Sequence, residues 1–222
     1  MPGLAEIAAA AEGDALAVLG ALHPGPEDAA PAGTGTLVLL GPDGPRFWEV
    51  FAASPEAADG APDPLDRWSL RVIGALAARL GAGALFPFGG PPWQPFTRWA
   101  RASGAAWESP VGLLVHVRLG LSVSYRGALG LRARLPLPPP AERPCDGCTR
   151  PCLDACPVGA LGRGGYDVPA CHAFLDRAAG CACYRRGCAV RRACPVGRDL
   201  RPEAQSTFHM AAFHGRQSPC DA

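Results

Sequence analysis

Lysine is absent from this chain, so every permanently basic side chain is an arginine, and cysteine does not occur before Cys145. Together with the abundance of Ala, Gly and Pro, the missing lysine reads as the compositional bias of a GC-rich genome, not as chemistry. No apolar run approaches the ~18 residues that a membrane span requires. The first segment, Met1 to Pro24, has an apolar stretch but no basic start, and it carries Glu6, Glu12 and Asp14. A signal peptide is therefore not expected; an amphipathic helix and a cytoplasmic protein are. Ahead of residue 140 there is no Walker loop, dinucleotide fingerprint, zinc-protease helix or nucleophile elbow. A formal charge of +1 gives no reason to expect nucleic acid or an anionic membrane as partner.

What is present is enough apolar sequence to fold. At 222 residues, 48% apolar and 18% charged, the chain has room for two unequal domains. Thr36 to Leu40 is an apolar run of strand length. The stretch from Pro62 to Ala82 predicts a helix, with Asp66 as N-cap, Trp68, Val72, Ile73, Leu76 and Leu80 at helical spacing, and Gly81 as its stop. Phe86 to Phe96 is too rich in Gly and Pro for regular structure, and a helix is expected from Phe96 to Ser103. Val111–Val117 and Leu119–Tyr125 predict a hairpin. The proline-rich stretch Leu135–Pro144 reads as a linker, which divides the chain into a mixed α/β domain over 1–140 and a Cys-rich domain over 141–222.

Nine of the ten cysteines fall between Cys145 and Cys194. With no export signal, metal or redox chemistry is the expected use, and structural disulfides are disfavoured. The first motif is Cys145-x2-Cys148-x3-Cys152-x3-Cys156-Pro157. Three close thiolates can wrap one cuboidal cluster while the proline turns the fourth toward another. The second motif is looser: Cys171, Cys181, Cys183, Cys188 and then Cys194-Pro195. By this crossover rule Cys145, Cys148, Cys152 and Cys194 form one ligand set and Cys156, Cys171, Cys183 and Cys188 the other. Cys181 and Cys220 are left over, with Cys181 an alternative to Cys183.

This pattern resembles the bacterial two-cluster ferredoxins, with one departure: Thr149, Arg150 and Pro151 stand where that pattern has two residues, so the extra one must bulge. The resemblance implies two 4Fe-4S clusters, a ferredoxin-like fold for the Cys-rich domain, and exchange of single electrons with a redox donor or acceptor protein. Arg150, Arg185, Arg186, Arg191 and Arg192 lie among the ligands, where they would offset cluster charge, dock an acidic partner, or simply face solvent. The competing expectation is a zinc-stabilised interaction module; only Cys145 and Cys148 form a zinc-type knuckle.

A second resemblance covers much of the remaining chain. Gly112–Leu129, with His116, Gly120, Arg126 and Gly127 at the matching positions, is similar to segments of the cobalamin-processing (decyanase and dealkylase) family and of the epoxyqueuosine reductases. The segments from Thr36 to Phe51 and from Asp63 to Leu76 resemble the cobalamin-processing family in the same order. This resemblance implies a nitroreductase-like α/β domain and a corrinoid as a further cofactor. In the reductases an Asp serves as proton donor; the corresponding position here is Gly90, so that activity is not carried over. The aromatic stretches Phe86–Trp99 and Phe208–Phe213 would line a cofactor or partner pocket or simply pack a core; the isolated His23 and His116 have no companions that would make them ligands or bases, and His209 and His214, five apart, read as packing or surface residues.

Overall fold

The apolar run at Thr36 becomes an interior strand because it can bury nearly every side chain. Six of the seven residues from Thr36 to Pro42 are buried. The computed structural model describes residues 2–198, 200–215 and 220. Its elements, in chain order, are α1 (Leu4–Gly13), β1 (Leu16–Leu22), β2 (Thr36–Pro42), α2 (Gly44–Ala52), α3 (Pro55–Ala58), α4 (Pro64–Leu80), β3 (Gly83–Leu85), α5 (Phe96–Ala102), β4 (Ala106–Glu108), β5 (Leu114–His116), β6 (Gly127–Leu131), β7 (Leu161–Gly162), β8 (Gly165–Tyr166), α6 (Val168–Leu175), α7 (Cys181–Arg186), α8 (Ala189–Ala193) and α9 (Glu203–His214). The class is mixed α and β, as expected, and the main sheet is antiparallel with strand order β1-β2-β6-β3.

The chain divides into two compact units, Met1–Ala106 with Ser124–Ala141, and Trp107–Val123 with Glu142–Ala222. The expected boundary near residue 140 is present, but residues 107–123 go with the cysteines. The reason is burial: Val111, Val115 and Leu121 share a core with Cys152, Leu161, Val190 and Cys194.

In the first unit α2 and α4 meet through aromatic side chains. The Phe47 and Trp68 rings meet edge-on at 5.3 Å, and Phe51 stacks beside Phe47. The single amphipathic helix expected for the first segment is instead α1 followed by β1. Ala15 takes a left-handed φ of 57° at the turn, and Leu16, Leu19 and Leu22 are buried along the strand. A short apolar run does not distinguish helix from strand by period, and pairing with β2 decides it. The helix predicted in the Pro62–Ala82 stretch forms as α4 and stops at Gly81, whose φ of 63° suits glycine. The helix begins at Pro64, so the N-cap position is Asp63, not Asp66, which lies in the first turn and is engaged by the guanidinium of Arg126.

The predicted hairpin is not formed. β5 pairs with β4, the chain reverses tightly between His116 and Gly120, and the following strand begins only at Gly127. Gly120 has a φ of 52°, and Arg126 already donates its backbone N–H to Leu40, which commits the chain to the main sheet.

Candidate functional site

The second unit is built of short helices and turns that carry cysteines at their ends. Cys145 and Cys148 lie in the turn after Pro144, with the Cys148 N–H directed at the Cys145 carbonyl at 3.4 Å. The extra residue of the motif is absorbed at Arg150, a non-glycine residue with φ 58°, whose N–H donates to Cys148 Sγ at 3.3 Å. Cys152 follows in the 3-10 turn Pro151–Leu153 and is buried. Cys194 reaches the same place from the end of α8, ahead of Pro195.

A loop from the early part of the chain closes this region. A Cβ added at Gly120 would sit 2.2 Å from the Val196 carbonyl oxygen and 2.8 Å from Cys194 Sγ; one added at Gly197 would sit 2.5 Å from the Leu119 carbonyl carbon. Backbone meets backbone here, so glycine is required on both sides. Cys145, Cys148, Cys152 and Cys194 line one recess with about 340 Å³ of atom-free space, part of it open to solvent, walled by Val115, Leu121 and Val196 among others.

Of the other four thiols, Cys156 precedes β7, Cys171 is on α6, Cys183 is on α7, and Cys188 is the N-cap of α8. Asp167 caps α6 by accepting the Ala170 N–H at 2.9 Å, which fixes the helix that carries Cys171. The α6–α7 connection is tight, since a Cβ at Gly180 would lie 2.3 Å from the Phe174 carbonyl oxygen. Cys183 is buried in α7 beside Tyr184 and Leu175. Tyr166 Oη donates to Cys171 Sγ at 3.4 Å.

Electrostatics groups the thiols in the same way. Burial raises the Cys145 thiol pKa, and Cys148 and Cys194 push it further up against the opposing charges of Arg143 and Arg150. Burial raises Cys152 as well, reinforced by Cys145, Cys194 and Cys148. Cys171 is raised by burial and by Cys188, Cys156 and Cys183, with the Tyr166 hydroxyl opposing. Thus Cys145, Cys148, Cys152 and Cys194, which line one recess, act on one another, while Cys171 is acted on by Cys188, Cys156 and Cys183.

Cys181 does not belong to either group. It forms a disulfide with Cys220, 39 residues later, and the other eight cysteines are free. The expectation that disulfides are disfavoured is corrected by this one bond, and Cys183 is left as the α7 thiol of the second group. Among the described residues no three or more His, Cys, Asp or Glu side chains are gathered closely enough to hold a single metal ion. One tetrahedral zinc, with bonds of roughly 2.3 Å, needs thiolates about 3.8 Å apart, whereas a cluster interposes iron and sulfide between more widely set ligands. A donor set of four thiols and no carboxylate fits soft iron-sulfur chemistry in both groups.

Outside the thiols, the other residues singled out in the sequence have specific partners. His214, read as packing or surface, is buried with Nε2 2.9 Å from Asp176 Oδ1, and its ring lies 5.0 Å from that of His172. The sequence carried no signal for this pair, because Asp176 lies 38 residues away. His23 Nε2 is 2.9 Å from the Leu135 carbonyl, anchoring the start of the linker. Of the four positions behind the cobalamin-processing resemblance, His116 and Gly120 lie in the second unit, Arg126 and Gly127 in the first. Each is engaged locally. His116 Nδ1 accepts the N–H groups of Arg118 and Leu119, and Arg126 holds Asp66 and Ser69 while lying over the Phe88 ring. A Cβ at Gly127 would lie 2.7 Å from Ile73 Cδ1.

Among the expected arginines, Arg150, Arg185, Arg186 and Arg192 are exposed, and Arg191 is partly buried. Compared with family models, curated proteins and solved structures, the chain finds no match.

Proposed function

We propose that this chain is a carrier of single electrons that holds two 4Fe-4S clusters. Cys145, Cys148, Cys152 and Cys194 would hold one, and Cys156, Cys171, Cys183 and Cys188 the other. What supports the reading is that eight thiols are free, that Cys145, Cys148, Cys152 and Cys194 line one recess, and that Cys188, Cys156 and Cys183 act electrostatically on Cys171. When bound, such a cluster takes up or releases one electron at a potential set by burial, hydrogen bonds to sulfur and local charge.

The chain's own residues have three tasks around it. Val115, Leu121 and Val196 keep water from the first group, which lowers the local dielectric. The Arg150 N–H and the Tyr166 hydroxyl each give a thiolate a hydrogen bond, one in each group. Exposed Arg185, Arg186 and Arg192 present positive charge to an acidic redox partner, an attraction that salt would weaken.

Anaerobic purification followed by iron, sulfide and zinc analysis tests the proposal, with paramagnetic resonance after dithionite reduction. About eight irons and eight sulfides per chain are expected, since each cluster holds four of each. Fewer than about six irons, or a colourless protein with stoichiometric zinc, would overturn it.

A further inference from the structure

Two cysteines of the second unit stand outside the proposed ligand sets, and they are joined to each other. Cys181 is bonded to Cys220, while the eight other thiols are free. The bond lies beside the second set. Only Ala182 separates Cys181 from Cys183 on α7, and Cys220 packs on the same small core of Leu175, Cys183 and Tyr184 on which Cys171 also packs. Both bonded residues are partly exposed, so a partner can reach them.

As a staple the bond is largely redundant. The Thr207 hydroxyl of α9 donates to the Arg185 carbonyl of α7 at 3.0 Å, and Arg186 and Glu203 pair across the same two helices at 3.3 Å. Arg185 also directs its guanidinium at the Cys220 carbonyl, so that residue keeps its place when the sulfurs part. The free thiols add a chemical argument. Iron is held by thiolates, so surroundings that let eight of them load must keep thiols reduced, and a disulfide found there is typically one that is made and broken in turn.

Resting on the two-cluster reading, we infer that the bond between Cys181 and Cys220 is a redox-active disulfide that draws its electrons from the thiol set of Cys156, Cys171, Cys183 and Cys188, and that the acceptor this chain serves is itself a disulfide, carried by a partner. Two electrons and two protons cleave the S–S bond and leave two thiols. The electrons arrive one at a time, replenished by a low-potential one-electron donor protein, and the protons come from solvent. One thiolate of the pair then attacks the partner's disulfide, and the other displaces the partner from the mixed disulfide. The original bond re-forms as the partner leaves as a dithiol. One-electron input thus becomes two-electron output.

The test uses iron-loaded protein equilibrated with oxidised glutathione under nitrogen and then reduced with methyl viologen radical, a one-electron donor. Alkylation followed by peptide mass reads Cys181 and Cys220 apart from the ligands. Wild type is expected to take up about four electrons per chain, about two for the clusters and two for the bond, with both cysteines alkylated. Cys183→Ser, which removes a ligand of the second set, should open the bond about tenfold more slowly. If that variant holds no iron, Cys188→Ser carries the measurement. With oxidised glutathione in excess as the probe disulfide, wild type should keep oxidising viologen and releasing thiol, whereas Cys220→Ser should stop once its clusters are reduced. A loaded wild type that takes up only about two electrons with the bond intact, or a Cys183→Ser that opens it at the wild-type rate, would overturn the inference and leave the electron carrier standing. So would a pair that stays unbonded in oxidised glutathione, or equal thiol release by Cys220→Ser. A wild-type protein free of iron would sink the electron-carrier reading itself, which a metal analysis shows before any reduction.

Discussion

Glu56 and Arg71 make a two-pronged ion pair, with Nε 2.6 Å and Nη2 2.9 Å from the two carboxylate oxygens. The Arg71 hydrogen bonds hold the Glu56 carboxyl down, at about 2 against an ordinary 4.5. A carboxyl whose folded pKa is depressed adds stability that is fully present above the unfolded value and disappears as pH falls toward the folded one. Between pH 4.5 and about 2, then, the melting temperature of the wild type should fall more steeply than that of Glu56→Gln. Parallel melting profiles over that interval would contradict the assignment. At this scale the chemistry of the second unit was readable to an unequal degree. Arg191 stood out among the ligands, whereas Arg201 did not, because its partner Ser122 is 79 residues away and no local pattern joins them.

Among the elements, the loop around Gly120 sets the position of Cys194. Alanine at 120 would bring a methyl group onto Val196 and Cys194 and would also oppose the left-handed backbone there. Gly120→Ala is expected to keep its helix content but to retain only about four irons, those of the second group. Full iron loading in this variant would show that the loop does not position the thiol. Elements with a strong period and clear punctuation were legible: β2, α4 with its terminal Gly81, and α5. β1 was not, since its run of Leu, Ala, Val and Gly suits a helix equally well until β2 lies beside it. The hairpin failed for a related reason, as Leu121 serves a core that is built mainly from residues after 142. The recess shared by Cys145, Cys148, Cys152 and Cys194 joins residues of both cysteine motifs, and the disulfide to Cys220, which no spacing announced, separates Cys181 from Cys183.

At the scale of the whole molecule, the two units are threaded and not merely joined in series. Residues 107–123 leave the first unit for the second, and the chain then returns to the first through 124–141. A fragment beginning at Glu142 would lack Val111, Val115 and Leu121 from its core, and the carbonyls that receive Arg191 and Arg201. Such a fragment is expected to be poorly folded and to bind little iron, whereas one starting at Trp107 retains every one of these groups. Equal iron loading of the two fragments would show that the threaded segment is dispensable.

The crossing of Cys156 and Cys194 between the two groups has a consequence for biosynthesis. On a ribosome the second quartet of thiols exists once residue 188 has been added, yet the first, although it begins at residue 145, waits for residue 194. A nascent chain thus exposes three early thiols without their fourth companion through some forty further additions, and on the proposed two-cluster reading whatever delivers iron would have to act late or guard them meanwhile.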